Sequence, residues 1–245
     1  LISGSRSGII KYGVSAIFRQ EDVFRERFIM RALTLLVFLF IAVSSVSAEN
    51  VILFFEGFGY EENGFESSDP GDEIHLITRV INATAPHANF PYDSDANEYT
   101  LCVTGLISEG EVFDGSSSVI SFEQGVLSIY EDWQQNSDWS EPHDIGNPPS
   151  TFTDGLLWLS GEFSAFTMVL YRELNMGFFE GNIALSGGTA LSFFSSVAYA
   201  FGGALIPPGD PSVPEGYDLS LNGEIWSEEG TATLASSWSR IKSIF

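Results

Sequence analysis

One short pattern constrains this chain more than any other feature: apolar, any, apolar, Ser/Thr/Asn, Gly. It occurs at 157–161, 183–187 and 219–223, with an earlier copy at 101–105. Alternate residues of a strand share a face. Leu157, Leu159, Gly161 and Phe163 therefore point one way, as do Leu219, Leu221, Gly223 and Ile225. In each copy the glycine falls on the apolar face. Glycine there weakens a strand unless it marks a bend, a bulge or a close backbone approach. Four such positions predict strands that coil sharply around a narrow core.

The rest of the body reads as short strands separated by turn residues. The clearest are an apolar opening at 51–55, then 74–81, 99–107 and 199–206, and a last strand at 217–226. Residues 119–122 and 126–130 flank Glu123-Gln124-Gly125, which reads as a hairpin turn. Residues 155–163 and 166–172 form one long run, bent near Ser164-Ala165. The longest irregular stretch is 132–149, and loops of that length are often functional. No amphipathic helix stands out in the body, and the irregular spacing of the glycine pattern argues against a solenoid. The expectation is an all-β fold: an antiparallel β-sandwich or flattened small β-barrel with strongly bent strands and a short C-terminal helical tail.

Not all 245 residues belong to that domain. Met30-Arg31, an apolar run over 32–43 and a Val-Ser-Ala site ending at Ala48 read as a secretory signal peptide. Residues 1–29 are then a non-native upstream extension, 30–48 the signal peptide, 49–229 the β domain and 230–245 a linker and tail. The protein is expected to be exported, periplasmic or extracellular, with no membrane span in its mature form.

The formal net charge of −23 becomes more extreme without the leader. Arg79, Arg172, Arg240 and Lys242 are then the only basic side chains, against 30 acidic ones. Such a surface repels nucleic acid and anionic membranes. Cys102 is the single cysteine, which excludes an intrachain disulfide and a cysteine-based metal site; it reads as inert packing.

Four groups of residues are candidates for function. Asp93, Asp95 and Asn97 place oxygens on alternate residues, as a calcium loop begins, but the Gly and Glu that an EF-hand needs further on are replaced by Glu98 and Thr104. No cofactor is expected apart from calcium at this loop, where a solvated turn is the alternative. His75, His87 and His143 are scattered, with no pair at zinc-ligand spacing.

Glu162 and Glu224, each directly after a patterned glycine, point away from the apolar face by alternation. Trp158 and Trp226 lie on the same outward side, and Glu180 joins them. Two carboxylates beside a groove, with tryptophans to stack on sugar rings, are the minimal glycosidase machinery. Trp133 and Trp139, with Tyr130 and His143 in or beside the long loop, offer an aromatic patch for a glycan or another surface protein, or anchors for the loop itself. Finally Trp238, Arg240, Ile241, Lys242 and Phe245 form a basic, apolar tail after a small-residue linker. It reads as a docking or sorting tag, with a terminal helix packed on its own domain as the alternative. Nucleophile-elbow, phosphate-loop, dinucleotide and metalloprotease motifs are absent from the sequence. The expected role is a secreted non-enzymatic binding or surface-structural domain. The alternative is a carbohydrate-active domain, sugar-binding or glycoside-hydrolysing.

Overall fold

A computed structural model describes residues 51–84, 89–141, 147–194, 199–206 and 212–227. The chain divides into two units at Ala48/Glu49, and the described residues all belong to the second. That unit is all-β. Its eight strands are β1 (Val51–Glu61), β2 (Glu73–Ala83), β3 (Glu98–Phe113), β4 (Ser118–Asp132), β5 (Leu156–Tyr171), β6 (Met176–Gly187), β7 (Tyr199–Ile206) and β8 (Leu219–Ser227). Each pairs antiparallel with the next in sequence, and β8 returns to pair with β1. The strands thus form one closed ring, which leaves no edge strand exposed, rather than two stacked sheets.

An eight-stranded barrel is just wide enough for side chains to fill it. Here phenylalanine does so. Phe55 stacks on Phe201 with centroids 4.7 Å apart, and Phe163, Phe166 and Phe179 close around the same ring. All five are buried. One of the patterned glycines makes room for them: a β-carbon on Gly223 would lie 2.6 Å from Cζ of Phe55 and 2.6 Å from the Gly202 carbonyl oxygen. At Gly223 the close approach is thus to an aromatic ring, while at Gly161 it is to Ile183 and the Ala184 carbonyl.

The inward face changes parity within three strands. Inward residues run Leu101, Val103 then Leu106 in β3; Ile120, Phe122 then Leu127, Ile129 in β4; and Leu159, Phe163 then Phe166, Met168 in β5. In β3 and β4 the switch falls where Gly105 (φ 72°) lies beside Gln124 (φ 62°) and Gly125 (φ 104°). In β5 it falls at the register shift between Phe163 and Ala165, where the bend was expected. In β5 the extra residue turns the following side chains to the other face; in β3 and β4 the register runs unbroken through the switch.

This corrects the hairpin expected at 123–125. Both flanking runs belong to β4, which continues through 123–125 in unbroken register, with positive φ at Gln124 and Gly125. The turn that joins β3 to β4 is Asp114–Ser117 instead. There the Asp114 carboxylate accepts hydrogen bonds from the Ser116 and Ser117 amides at 2.9 and 2.8 Å. Those bonds hold its pKa down to about 2.

The lower end of the barrel, where β1 begins, is plugged by Phe90, Tyr92, Tyr99, Trp158 and Phe194. A second, smaller cluster lies on the outer wall. Phe58, Tyr60, Ile77 and Cys102 project outward from β1–β3 and are covered by Trp139, Phe152, Val213 and Tyr217. Trp139 and Phe152, from the connection between β4 and β5, thus lie back over the barrel's own wall. The tail residues Trp238, Arg240, Ile241, Lys242 and Phe245, and with them the helix expected there, lie outside the described residues.

Candidate functional site

The polar groups that the structure gathers lie at the upper end, where β1 stops. Leu53, Phe55, Gly57 and Gly59 face inward, and Glu61 follows at the same parity. It is 5% exposed. Its Oε1 accepts a hydrogen bond from Ser68 Oγ. Ser68 Oγ also lies 2.7 Å from Ser108 Oγ. The Glu61 amide donates to Asp218 Oδ2 at 2.9 Å, and Asp72 is held nearby by Asn63 Nδ2 at 2.9 Å.

Burial pushes the Glu61 carboxyl up from 4.5 to about 7. The Ser68 hydrogen bond opposes this, while Asp72, Asp218 and Glu111 add to it. Glu61 Oε2 has no hydrogen-bond partner among the described residues. A group of this kind holds a proton near neutrality.

Beside it, Arg172 from the β5–β6 turn grips Glu111 with two hydrogen bonds, 3.0 Å from Nε and 2.5 Å from Nη2, and donates to the Phe65 carbonyl at 3.3 Å. Burial would raise the Glu111 carboxyl, but Arg172, Ser118 and the Ser68 amide together outweigh it and the net displacement is downward. An open cleft of about 430 Å³ runs between loop 62–72 and the end of β3, lined by Glu66, Asp69, Glu109, Glu111, Val112 and Phe113 among others.

On the outer wall below, His75 is fully buried. It stacks on Tyr60 with centroids 4.9 Å apart, and its Nε2 lies 2.9 Å from Glu73 Oε1. Glu73 Oε1 also accepts the Gly105 amide at 2.9 Å. Loop 133–155 closes over this wall. Arg79 lies 4.0 Å from the centroid of the Trp139 ring and donates from Nε to Ser137 Oγ at 2.5 Å; Glu98 Oε1 is 3.0 Å from the same nitrogen. Trp139 meets Phe58 edge-on at 5.3 Å.

No family model, curated protein or solved structure matches this chain. The site is therefore read from its own geometry.

That geometry separates the residues singled out from sequence. Trp158 is not outward but fully buried in the core, its Nε1 donating to the Pro91 carbonyl at 2.9 Å. The β4–β5 register slips between Ile129 and Tyr130, so Trp158 is the unpaired residue of a bulge and turns inward beside Leu159. Trp226 keeps its outward parity but is 7% exposed, its ring over Gly202. Glu162 is exposed on β5 and Glu224 half-buried on β8. With β6 and β7 between them, they stand three strand spacings apart, about 14 Å around the wall. Glu180 and Glu224 do share a row, on either side of Gly202.

Trp139 anchors the loop, Trp133 is exposed, and His143 lies outside the described residues. At the expected calcium loop, Asp93 Oδ1 accepts the amides of Asp95 and Ala96 at 3.2 Å each, and Asn97 turns its Nδ2 to Glu131. That is the hydrogen bonding of a turn. Among the described residues, no group of three or more His, Cys, Asp or Glu is placed to hold a metal ion.

Glu61 was missed, although its parity with Leu53 and Phe55 was readable. The partners that bury it, Ser68, Ser108 and Asp218, come from distant segments and leave no sequence signal.

Proposed function

We propose that this chain is an exported, non-enzymatic binding or surface-structural domain that acts through its outer surface. The observation that carries this reading is the barrel interior, closed by Phe55, Phe163, Phe166, Phe179 and Phe201 in mutual ring contact. Most eight-stranded carriers hold a ligand where this chain holds phenylalanine. The spread of Glu162, Glu224, Trp158 and Trp226 over core and wall supports a role without catalysis. The acidic surface favours a soluble glycan, a cation or a basic protein partner over nucleic acid.

A thermal melt against calcium and a panel of soluble glycans tests the reading, because a ligand that binds only the folded state raises Tm by mass action. A rise with one ligand, with no turnover of it, is expected. Turnover of any glycan would overturn the non-enzymatic role.

One pair favours the carbohydrate-active reading. Glu180 and Glu224 flank Gly202, over which the Trp226 ring lies, across two strand spacings, about 10 Å of backbone separation, within reach of an acid–base pair. Loss of glycan turnover in both Glu180→Gln and Glu224→Gln would favour it.

A further inference from the structure

The outer wall carries apolar side chains on two sides. On β1–β3, outward Phe58, Ile77 and Cys102 lie beneath the chain's own Trp139, Phe152, Val213 and Tyr217. On β3–β7, strand register aligns Val112, Val119, Val169, Phe178 and Ala204 into one lateral row. Val112 is 67% exposed and the other four are half-buried. Tyr171 and Met176 pair directly above the row, where the Tyr171 ring meets Phe178 at 6.3 Å. Acidic residues border it: Glu173 in the turn above, and Glu180 in the next outward row below.

We propose that this row is a docking strip for the chain's own C-terminal segment, residues 238–245. Its chemistry matches. Trp238, Ile241, Ile244 and Phe245 supply apolar surface, and Arg240 and Lys242 are the only basic residues after Arg172. Their charge complements the acids around the strip.

Its reach suffices as well. Ten residues separate Ser227 from Trp238 and span up to about 33 Å when extended. From the level of Trp226 to the middle of the row is about four residues along β8 and three strands around, roughly 20 Å. The covered wall on the other side shows how the chain treats such a surface: it folds its own aromatic residues over it.

Tryptic cleavage of the full chain, followed by mass at Arg240 and Lys242, tests the proposal. In the body, Arg79 and Arg172 are both held in ion pairs, so the tail sites are the sensitive ones. The wild type, at a concentration where it is a monomer, is expected to be cut slowly at the tail. Val112→Asp and Val169→Asp, with the barrel intact by circular dichroism, should each speed tail cleavage about tenfold. Val112 is exposed enough that its variant keeps the test decisive if Val169→Asp fails to fold. Equal tail cleavage in wild type and Val112→Asp would overturn the proposal. Protection that arises only with dimer formation at rising concentration would also overturn it, by assigning the strip to a second copy.

Discussion

Replacing Glu61 with glutamine is expected to stabilise the barrel at pH 8 and leave it nearly unchanged at pH 4.5. The folded carboxyl is pushed from 4.5 up to about 7, by burial first and by Asp72, Asp218 and Glu111 in addition. Because the folded value is the higher one, the native state holds this proton more tightly than the unfolded chain. Its contribution to stability is complete below pH 4.5 and is lost as pH rises through about 7. Full ionisation then costs at most about 3 kcal/mol. Relaxation and water entry at the barrel mouth reduce this to about 1–3 kcal/mol. Glutamine keeps an acceptor for Ser68 Oγ and removes the charge. Urea unfolding of both proteins from pH 4.5 to pH 8 measures the difference, which cancels the titration of all other carboxylates. A wild-type curve that falls relative to Glu61→Gln across that window supports the account. Parallel curves would show that Glu61 is ionised at no cost, and would refute it.

Three further outcomes follow from packing. Gly223→Ala places a methyl group 2.6 Å from both Phe55 and the Gly202 carbonyl and should cost about 1–3 kcal/mol or more, read by chemical denaturation. Cys102 is buried and its thiol pushed up to about 12 by that burial. A thiol reagent should therefore leave it unmodified in the native protein and modify it fully in urea. Trp139→Ala removes the ring that Arg79, Phe58 and Phe152 hold, so loop 133–155 should become the first site of proteolytic nicking while the barrel stays folded.

The fold was legible where the sequence marks a local event. The glycine pattern reported a tight core, the limits of β7 matched the run read at 199–206, and Ser164-Ala165 marked the bend in β5. What escaped was whatever depends on how distant strands pair. Glu123-Gln124-Gly125 has the composition of a turn, yet its neighbours pair on both sides with β3 and β5 in unbroken register, and the chain continues as one strand. Trp158 was placed outward by strict alternation, which a single unpaired residue defeats. The site was less legible. Carboxylates such as Glu162 are placed by strand parity, and parity gives a face without giving neighbours. The cluster around Glu61 is assembled from residues up to 157 positions apart, whose meeting depends on closure of the whole ring.

The central claim is that this barrel is solid, so that recognition takes place on its outer surface. Titration of the native protein with a small aromatic probe such as benzene, followed by calorimetry, tests it most directly. The wild type should bind none, while Phe201→Ala should open an apolar cavity that takes the probe up, at a stability cost of about 3–5 kcal/mol. Saturable one-to-one binding by the wild type would make the barrel a container and contradict the account.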